Sequence, residues 1–185
     1  MKKVVFLAAA FLGSASALAQ DRYVSLDYGN VSMSNNGASS VPQSAYRLGL
    51  GYKNKGSESL NTYTELSYMS IGDSNYSDNT GSFTTKTSSL QLSALFAAPV
   101  TSDFSVLARL GVGFNYGKST GTGGYSTQGS SANRTEFIYG IGVRYSLSEK
   151  WSVDAQYEYL GKFAASSTAS GVDVSTTTVG LKYNY

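Results

Sequence analysis

The chain has 185 residues, with 14 Lys and Arg against 12 Asp and Glu, 15 Tyr, 20 Gly, only two Pro, and neither His nor Cys. Without Cys there is no disulfide framework and no thiolate metal site, and without His as well, zinc chemistry and Ser-His-Asp or Cys-His catalysis are excluded in their usual forms. A composition rich in Tyr and Gly and poor in Pro suits strands joined at tight corners.

The first element is MKKVVFLAAAFLGSASALA, residues 1–19. Lys2 and Lys3 form a positive n-region, Val4 to Leu12 an apolar h-region, and Ala17-Leu18-Ala19 a small-x-small cleavage site, so this segment is expected to be a secretory signal peptide. Its apolar stretch is too short for a stable span, which needs about 20 residues. Residues 20–185 are then expected to form one domain. Without Lys2 and Lys3 the 14 basic residues become 12, equal to the 12 acidic ones, and a neutral chain gives nucleic acid no electrostatic footprint.

From there the hydrophobic pattern has period two, and eight segments carry it in order. YVSLDYG sets Val24, Leu26 and Tyr28 against Ser25 and Asp27, and AYRLGLGYK sets Tyr46, Leu48, Leu50 and Tyr52 against Arg47, Gly49 and Gly51. NTYTELSYM opposes Leu66 and Tyr68 to Glu65 and Ser67; SLQLSALFA opposes Leu90, Leu92 and Phe96 to Gln91 and Ser93. FSVLARLGVGFNY is the clearest, with Phe104, Val106, Leu110, Val112, Phe114 and Tyr116 on one face and Arg109, Gly111, Gly113 and Asn115 on the other. FIYGIGVRYS places Phe137, Tyr139, Ile141, Val143 and Tyr145 opposite Gly140, Gly142 and Arg144, with Glu136 just before it. WSVDAQYEYL places Trp151, Val153, Tyr157 and Tyr159 opposite Asp154, Gln156 and Glu158. The last segment, TVGLKYNY, sets Val179, Leu181, Tyr183 and Tyr185 against Thr178, Gly180, Lys182 and Asn184.

Alternation alone also fits a soluble sandwich or a lipocalin-like cup. Three features favour a membrane barrel. Aromatics collect near strand ends, as interfacial girdles require: Tyr52, Phe104, Tyr145, Trp151 and Tyr183 at one rim, Tyr116 and Tyr159 at the other. The segments run to about 9–11 residues, the length of a tilted strand crossing hydrocarbon. Connections alternate between short turns (53–59, 99–103, 146–150) and longer polar loops (about 30–44, 72–84, 117–133 and 161–172). The expected fold is therefore an all-β, eight-stranded antiparallel up-and-down transmembrane barrel, with both termini at the short-turn, periplasmic rim.

At this point the sequence resembles the small eight-stranded outer-membrane barrels, the family of the OmpA transmembrane domain and OmpX-like proteins. The family's final strand carries a pattern read by the outer-membrane assembly machinery, and Thr178, Gly180, Tyr183 and Tyr185 match it at the chain end. The resemblance implies an outer-membrane location and contact with outer-membrane lipid, lipopolysaccharide and the assembly machinery. It also implies host or phage surface ligands at the loops. Barrel lipases, acyltransferases and proteases of similar fold use His, which this chain lacks, so no enzyme, catalytic residue, metal or cofactor is expected.

Arg47, Glu65, Arg109, Glu136, Arg144, Asp154, Glu158 and Lys182, together with Asp27, all fall on the face opposite the apolar one. Since an eight-stranded barrel is just wide enough for its own side chains, these residues are expected to form a luminal ion-pair network in a polar interior. The four long loops, with Tyr76, Phe83, Tyr125 and Phe163 among small polar residues, are the candidate interaction surface. The expected role is structural or adhesin-like; the alternative is a narrow porin-like or OmpW-like passage for small hydrophobic molecules. The face assignment makes Leu110→Arg a direct test. Placing that charge against lipid near mid-depth is expected to cost about 2–4 kcal/mol in urea unfolding from bilayers, whereas wild-type stability would put Leu110 inside.

Overall fold

A computed structural model of the chain describes residues 22–35, 38–39, 43–57, 60–78, 81–123, 130–163 and 172–185. The expected signal segment and Tyr125 lie outside them, as do the side chains of Tyr76 and Phe83. The strands are β1 (Arg22–Asn35), β2 (Gln43–Ser57), β3 (Leu60–Asp78), β4 (Gly81–Pro99), β5 (Phe104–Gly123), β6 (Ser130–Ser146), β7 (Trp151–Phe163) and β8 (Val172–Asn184). A two-residue stretch, Ala38–Ser39, folds back on the end of β1.

Each strand pairs antiparallel with its neighbours in sequence, and β8 returns to β1, with Leu26 opposite Leu181 and Tyr23 opposite Asn184. The result is a closed eight-stranded antiparallel barrel, which leaves no unpaired backbone edge at hydrocarbon depth. Two short turns use one device. The Thr101 hydroxyl accepts from the Phe104 amide at 3.1 Å and the Ser148 hydroxyl from the Trp151 amide at 3.1 Å, so each hydroxyl caps the first N–H of the next strand. The backbone amide of Asn184 donates to the Lys150 carbonyl and that of Tyr185 to the Arg22 carbonyl, which ties the chain end to both flanking strands.

The strands are longer than the alternating segments alone indicate, running from 13 residues in β7 and β8 to 20 in β5. Most of 53–59, expected as a turn, is the end of β2. Much of the segments expected as loops at 72–84 and 117–133 is also strand, since β3 continues to Asp78, β4 starts at Gly81, and β5 continues to Gly123. Ladder hydrogen bonds do not depend on side-chain polarity, so a hairpin keeps pairing after its hydrophobic alternation has ended.

The polarity of the wall reverses along its height. Through most of the barrel Leu26, Tyr28, Leu110, Ile141 and Val179 are exposed while Ser25, Asp27, Arg109 and Thr178 are buried, inverse to a soluble protein. Past Tyr28 and Tyr46 toward the long loops, Asn30, Ser32 and Ser44 face outward. Inside at that level sits an apolar cluster of Val31, Ala45, Met69, Ile71, Ile138, Leu160, Phe163 and Val174. The expected polar interior is thus only part of the lumen. Where the wall leaves the hydrocarbon, water lies outside and the ordinary hydrophobic drive fills the inside.

Phe163, expected in a loop, belongs to this layer because of a bulge. The β7–β8 register shifts between Tyr159 and Gly161, and Gly161 adopts φ 79°. The Asn115 side-chain amide holds the bulge by donating to the carbonyls of Leu160 at 3.0 Å and Lys162 at 3.3 Å. A Cβ at Gly161 would strain the backbone and run into the Glu136 side chain, 2.9 Å from its Cγ. Gly161→Val is therefore expected to destabilise the barrel by about 1–3 kcal/mol, read as a lower urea midpoint by Trp151 fluorescence in micelles. An unchanged midpoint would show that this bulge does not depend on glycine.

Candidate functional site

The site with the greatest concentration of chemistry is the lumen. Alternation sends every second side chain of each strand inward. Register then places Asp27 beside Arg47 on β1 and β2, and Arg144 beside Asp154 on β6 and β7. These are hairpin neighbours, and each pair forms a charge-assisted bond. Arg47 Nε donates to Asp27 Oδ2 at 2.7 Å, and Arg144 donates through Nε at 2.7 Å and Nη2 at 2.6 Å to the two oxygens of Asp154.

The remaining contacts cross the barrel. Arg47 Nη1 reaches both oxygens of Glu158 on β7, at 2.7 and 2.6 Å. Glu158 Oε1 also lies 3.2 Å from Arg109 Nε on β5. Arg109 Nη1 donates to Glu65 Oε1 on β3 at 2.8 Å and to Ser93 Oγ on β4 at 3.1 Å, while its Nε approaches Gln156 Oε1 at 3.2 Å. The Tyr23 hydroxyl donates to the other Glu65 oxygen at 2.8 Å. Asp27, Arg47, Glu158, Arg109, Glu65 and Tyr23 thus form one continuous chain.

Two expected members stand apart from the ion pairing. Lys182 is buried, yet its Nζ has neither an ion pair nor a hydrogen bond among the described residues. It rests instead against aromatic faces, 3.4 Å from the centroid of Tyr23 and 3.9 Å from that of Tyr63, and Arg144 Cζ lies 5.1 Å from the same Tyr63 ring. Glu136 is half-buried beside Gly161, one inward position nearer the long loops than Ile138 of the apolar layer, and forms no ion pair among the described residues. It lies beyond the reach of the luminal arginines because its position on β6 is above theirs.

Tyr23 and Tyr63 are members that sequence reasoning missed, although the signal was present. Tyr23 shares the parity of Ser25 and Asp27, and Tyr63 that of Glu65, so both rings had to point inward. Inward glycines make room for close approach: a Cβ at Gly180 would overlap Asp27 Oδ1, and one at Gly51 would overlap the Tyr23 ring.

Charge is balanced over the lumen rather than within each layer. Its buried acids are Asp27, Glu65, Asp154 and Glu158, and its buried bases are Arg47, Arg109, Arg144 and Lys182. The central cluster holds Asp27, Glu65 and Glu158 against Arg47 and Arg109. The layer toward the short turns holds Arg144 and Lys182 against Asp154 alone. One negative excess thus faces one positive excess, bridged by Tyr23. Arg47 is 0% and Arg109 2% exposed, and such burial is tolerated only with near-complete pairing. A polar vestibule of about 630 Å³ at the short-turn mouth ends on Tyr63, Arg144 and Ser152.

The expected assembly and interfacial residues lie along the wall. Thr178 and Gly180 are buried inward. Tyr183 packs 4.7 Å from Trp151 and 6.2 Å from Tyr185, ring to ring. Tyr52, Tyr145 and Trp151 are exposed and Phe104 half-buried at the short-turn end, with Phe104 opposite Tyr145. Toward the long loops Tyr116 is exposed, and Tyr159 stacks near Tyr139 and donates its hydroxyl to the Asp173 carboxylate.

The charge balance predicts a compensating pair. Asp154→Asn leaves two cations without a carboxylate and is expected to cost about 3–5 kcal/mol in urea unfolding. Adding Lys182→Met should recover part of that loss, whereas additive losses would mean that the two groups do not share charge.

The family model described as outer membrane protein beta-barrel domain matches residues 5–185. Among solved structures, Ail, the attachment invasion locus protein of Yersinia pestis, aligns with a TM-score of 0.63 at 18% identity, covering 91% of this chain and 100% of that one. Neisserial surface protein A (NspA) aligns with a TM-score of 0.62 at 21% identity, covering 89% and 97%. The outer membrane enzyme PagL aligns with a TM-score of 0.52 at 16% identity, covering 88% and 99%. No curated protein matches the chain. At such identities the likeness is one of fold, and with a family match over nearly its whole length and a closed barrel apolar outside and ion-paired within, this chain belongs to the outer membrane protein beta-barrel domain family.

Proposed function

We propose that the protein is a non-enzymatic surface-interaction barrel whose long-loop end meets external ligands while its lumen serves as a rigid, non-conducting core. The observation that carries this reading is the filled lumen. The charged chain spans the barrel, and above it the layer of Met69, Ile138, Leu160 and Phe163 packs side chain against side chain. A conduit needs a wet path, and a layer of buried apolar groups excludes water.

The loop end supplies the other half. β3, β4 and β5 rise well past the outer aromatics, with Asn75 opposite Thr84 and Thr84 opposite Thr120, and present Ser, Thr, Asn and Gly beyond the membrane. Ail carries attachment in its name and has been crystallised with the heparin analogue sucrose octasulfate, which supports an adhesive reading of the shared fold. PagL is an enzyme on a similar barrel, but with no His this chain lacks the usual base for acyl transfer. The proposed partners are outer-membrane lipid and lipopolysaccharide around the wall, the assembly machinery at the final strand, and host or phage surface molecules at the loops.

Planar-bilayer recording of the refolded protein separates this from the passage reading. Wild type is expected to show no discrete conductance, and Glu65→Gln and Arg109→Ala are expected to lower stability without opening a defined channel. In parallel, nanodisc-held protein should bind host-cell matrix in a loop-dependent manner. Discrete steps in wild type that shift in the two variants would make the lumen the functional site and overturn the proposal.

A further inference from the structure

The lipid-facing wall is not uniformly convex. At the short-turn end of β1 to β4 it carries a groove of about 360 Å³. Outward residues of two rows line it, together with Gly51 and the inward Tyr23. Val24, Leu50, Leu66 and Leu92 stand opposite one another along one row, and Arg22, Tyr52, Thr64 and Ala94 along the next. The first row projects: Leu66 is 46% and Leu92 52% exposed. In the second row Thr64 is small, so the wall dips between the leucines on one side and Tyr52 on the other, and Tyr185 helps to close the dip near the rim.

The groove has a cationic end. Arg22 lines both the groove and the vestibule mouth, and it forms no ion pair among the described residues. Its position is the level of short periplasmic turns, where the leaflet's glycerophospholipids present their phosphates. An apolar trough leading from a guanidinium into hydrocarbon has the shape and charge order of one such lipid: phosphate at the rim, chain along the wall. On β6, by contrast, Phe137 and Ile141 project at 80% and 69% exposure.

We infer that this groove is a retained-lipid site that holds one acyl chain of a glycerophospholipid along Leu50, Leu66 and Leu92, with Arg22 on the phosphate. The site would fasten β1 to its neighbours from the outside, near the seam where β8 closes the barrel.

Native mass spectrometry of the full chain, refolded in detergent with added palmitoyl-oleoyl phosphatidylglycerol, tests this. Wild type should keep one lipid through detergent stripping. Thr64→Trp, which fills the trough, should lower retention at least tenfold, and Ile141→Trp on β6 should keep it. Arg22→Gln should reduce retention to the level of a diacylglycerol with the same chains. If Thr64→Trp fails to fold, Arg22→Gln and the diacylglycerol comparison decide alone. No lipid kept by wild type, or retention by Arg22→Gln equal to wild type, would overturn the inference.

Discussion

Everything in this barrel depends on where its charges go once the outer wall is committed to lipid. A strand whose alternate residues face hydrocarbon must send its other residues inward, and eight strands leave a lumen only as wide as side chains. Charges in that space have no bulk water, so each must meet an opposite charge, a hydrogen-bond partner or an aromatic face. The chain from Asp27 through Arg47, Glu158, Arg109 and Glu65 to Tyr23 satisfies the condition and draws on β1, β2, β3, β5 and β7. Ser93 brings in β4, Arg144 β6, and Lys182 β8. The network is thus a set of internal cross-braces as well as a solution to charge burial.

The same physics, applied to a different solvent, explains the upper lumen. Outside the membrane the wall is wetted, so the inner face becomes apolar and the ion network stops below Leu160 and Ile138. The Gly161 bulge is where the two regimes meet. It lets both Leu160 and Phe163 enter the interior, and the Asn115 side chain donates to the carbonyls of Leu160 and Lys162 on either side of it. The barrel is therefore closed by two unlike layers.

Much of the fold was legible in period-two patterning because, in a barrel, one alternation decides lipid against lumen. The inward set from Asp27 to Lys182 could be named from parity alone, and the same parity applies to Tyr23 and Tyr63. What patterning could not show was strand length beyond the membrane, where Ser- and Thr-rich sequence reads as loop although the backbone still pairs. Nor did it reveal that Phe163 turns inward, since a single positive-φ residue changes the phase.

The sequence by itself determined the strand count, which residues share a face, and one local charge pair. Arg144 with Asp154 follows from hairpin register, because the short 147–150 connection leaves little freedom in who opposes whom, whereas Asp27 meets Arg47 across the longer β1–β2 connection. Only the tertiary structure decided the rest. Arg47 meets Glu158, Arg109 meets Glu65, and Lys182 settles on two tyrosine rings because closure of β8 on β1 brings distant strands face to face across a narrow lumen. Those distances depend on barrel diameter and strand stagger, which are properties of all eight strands together and of no segment alone.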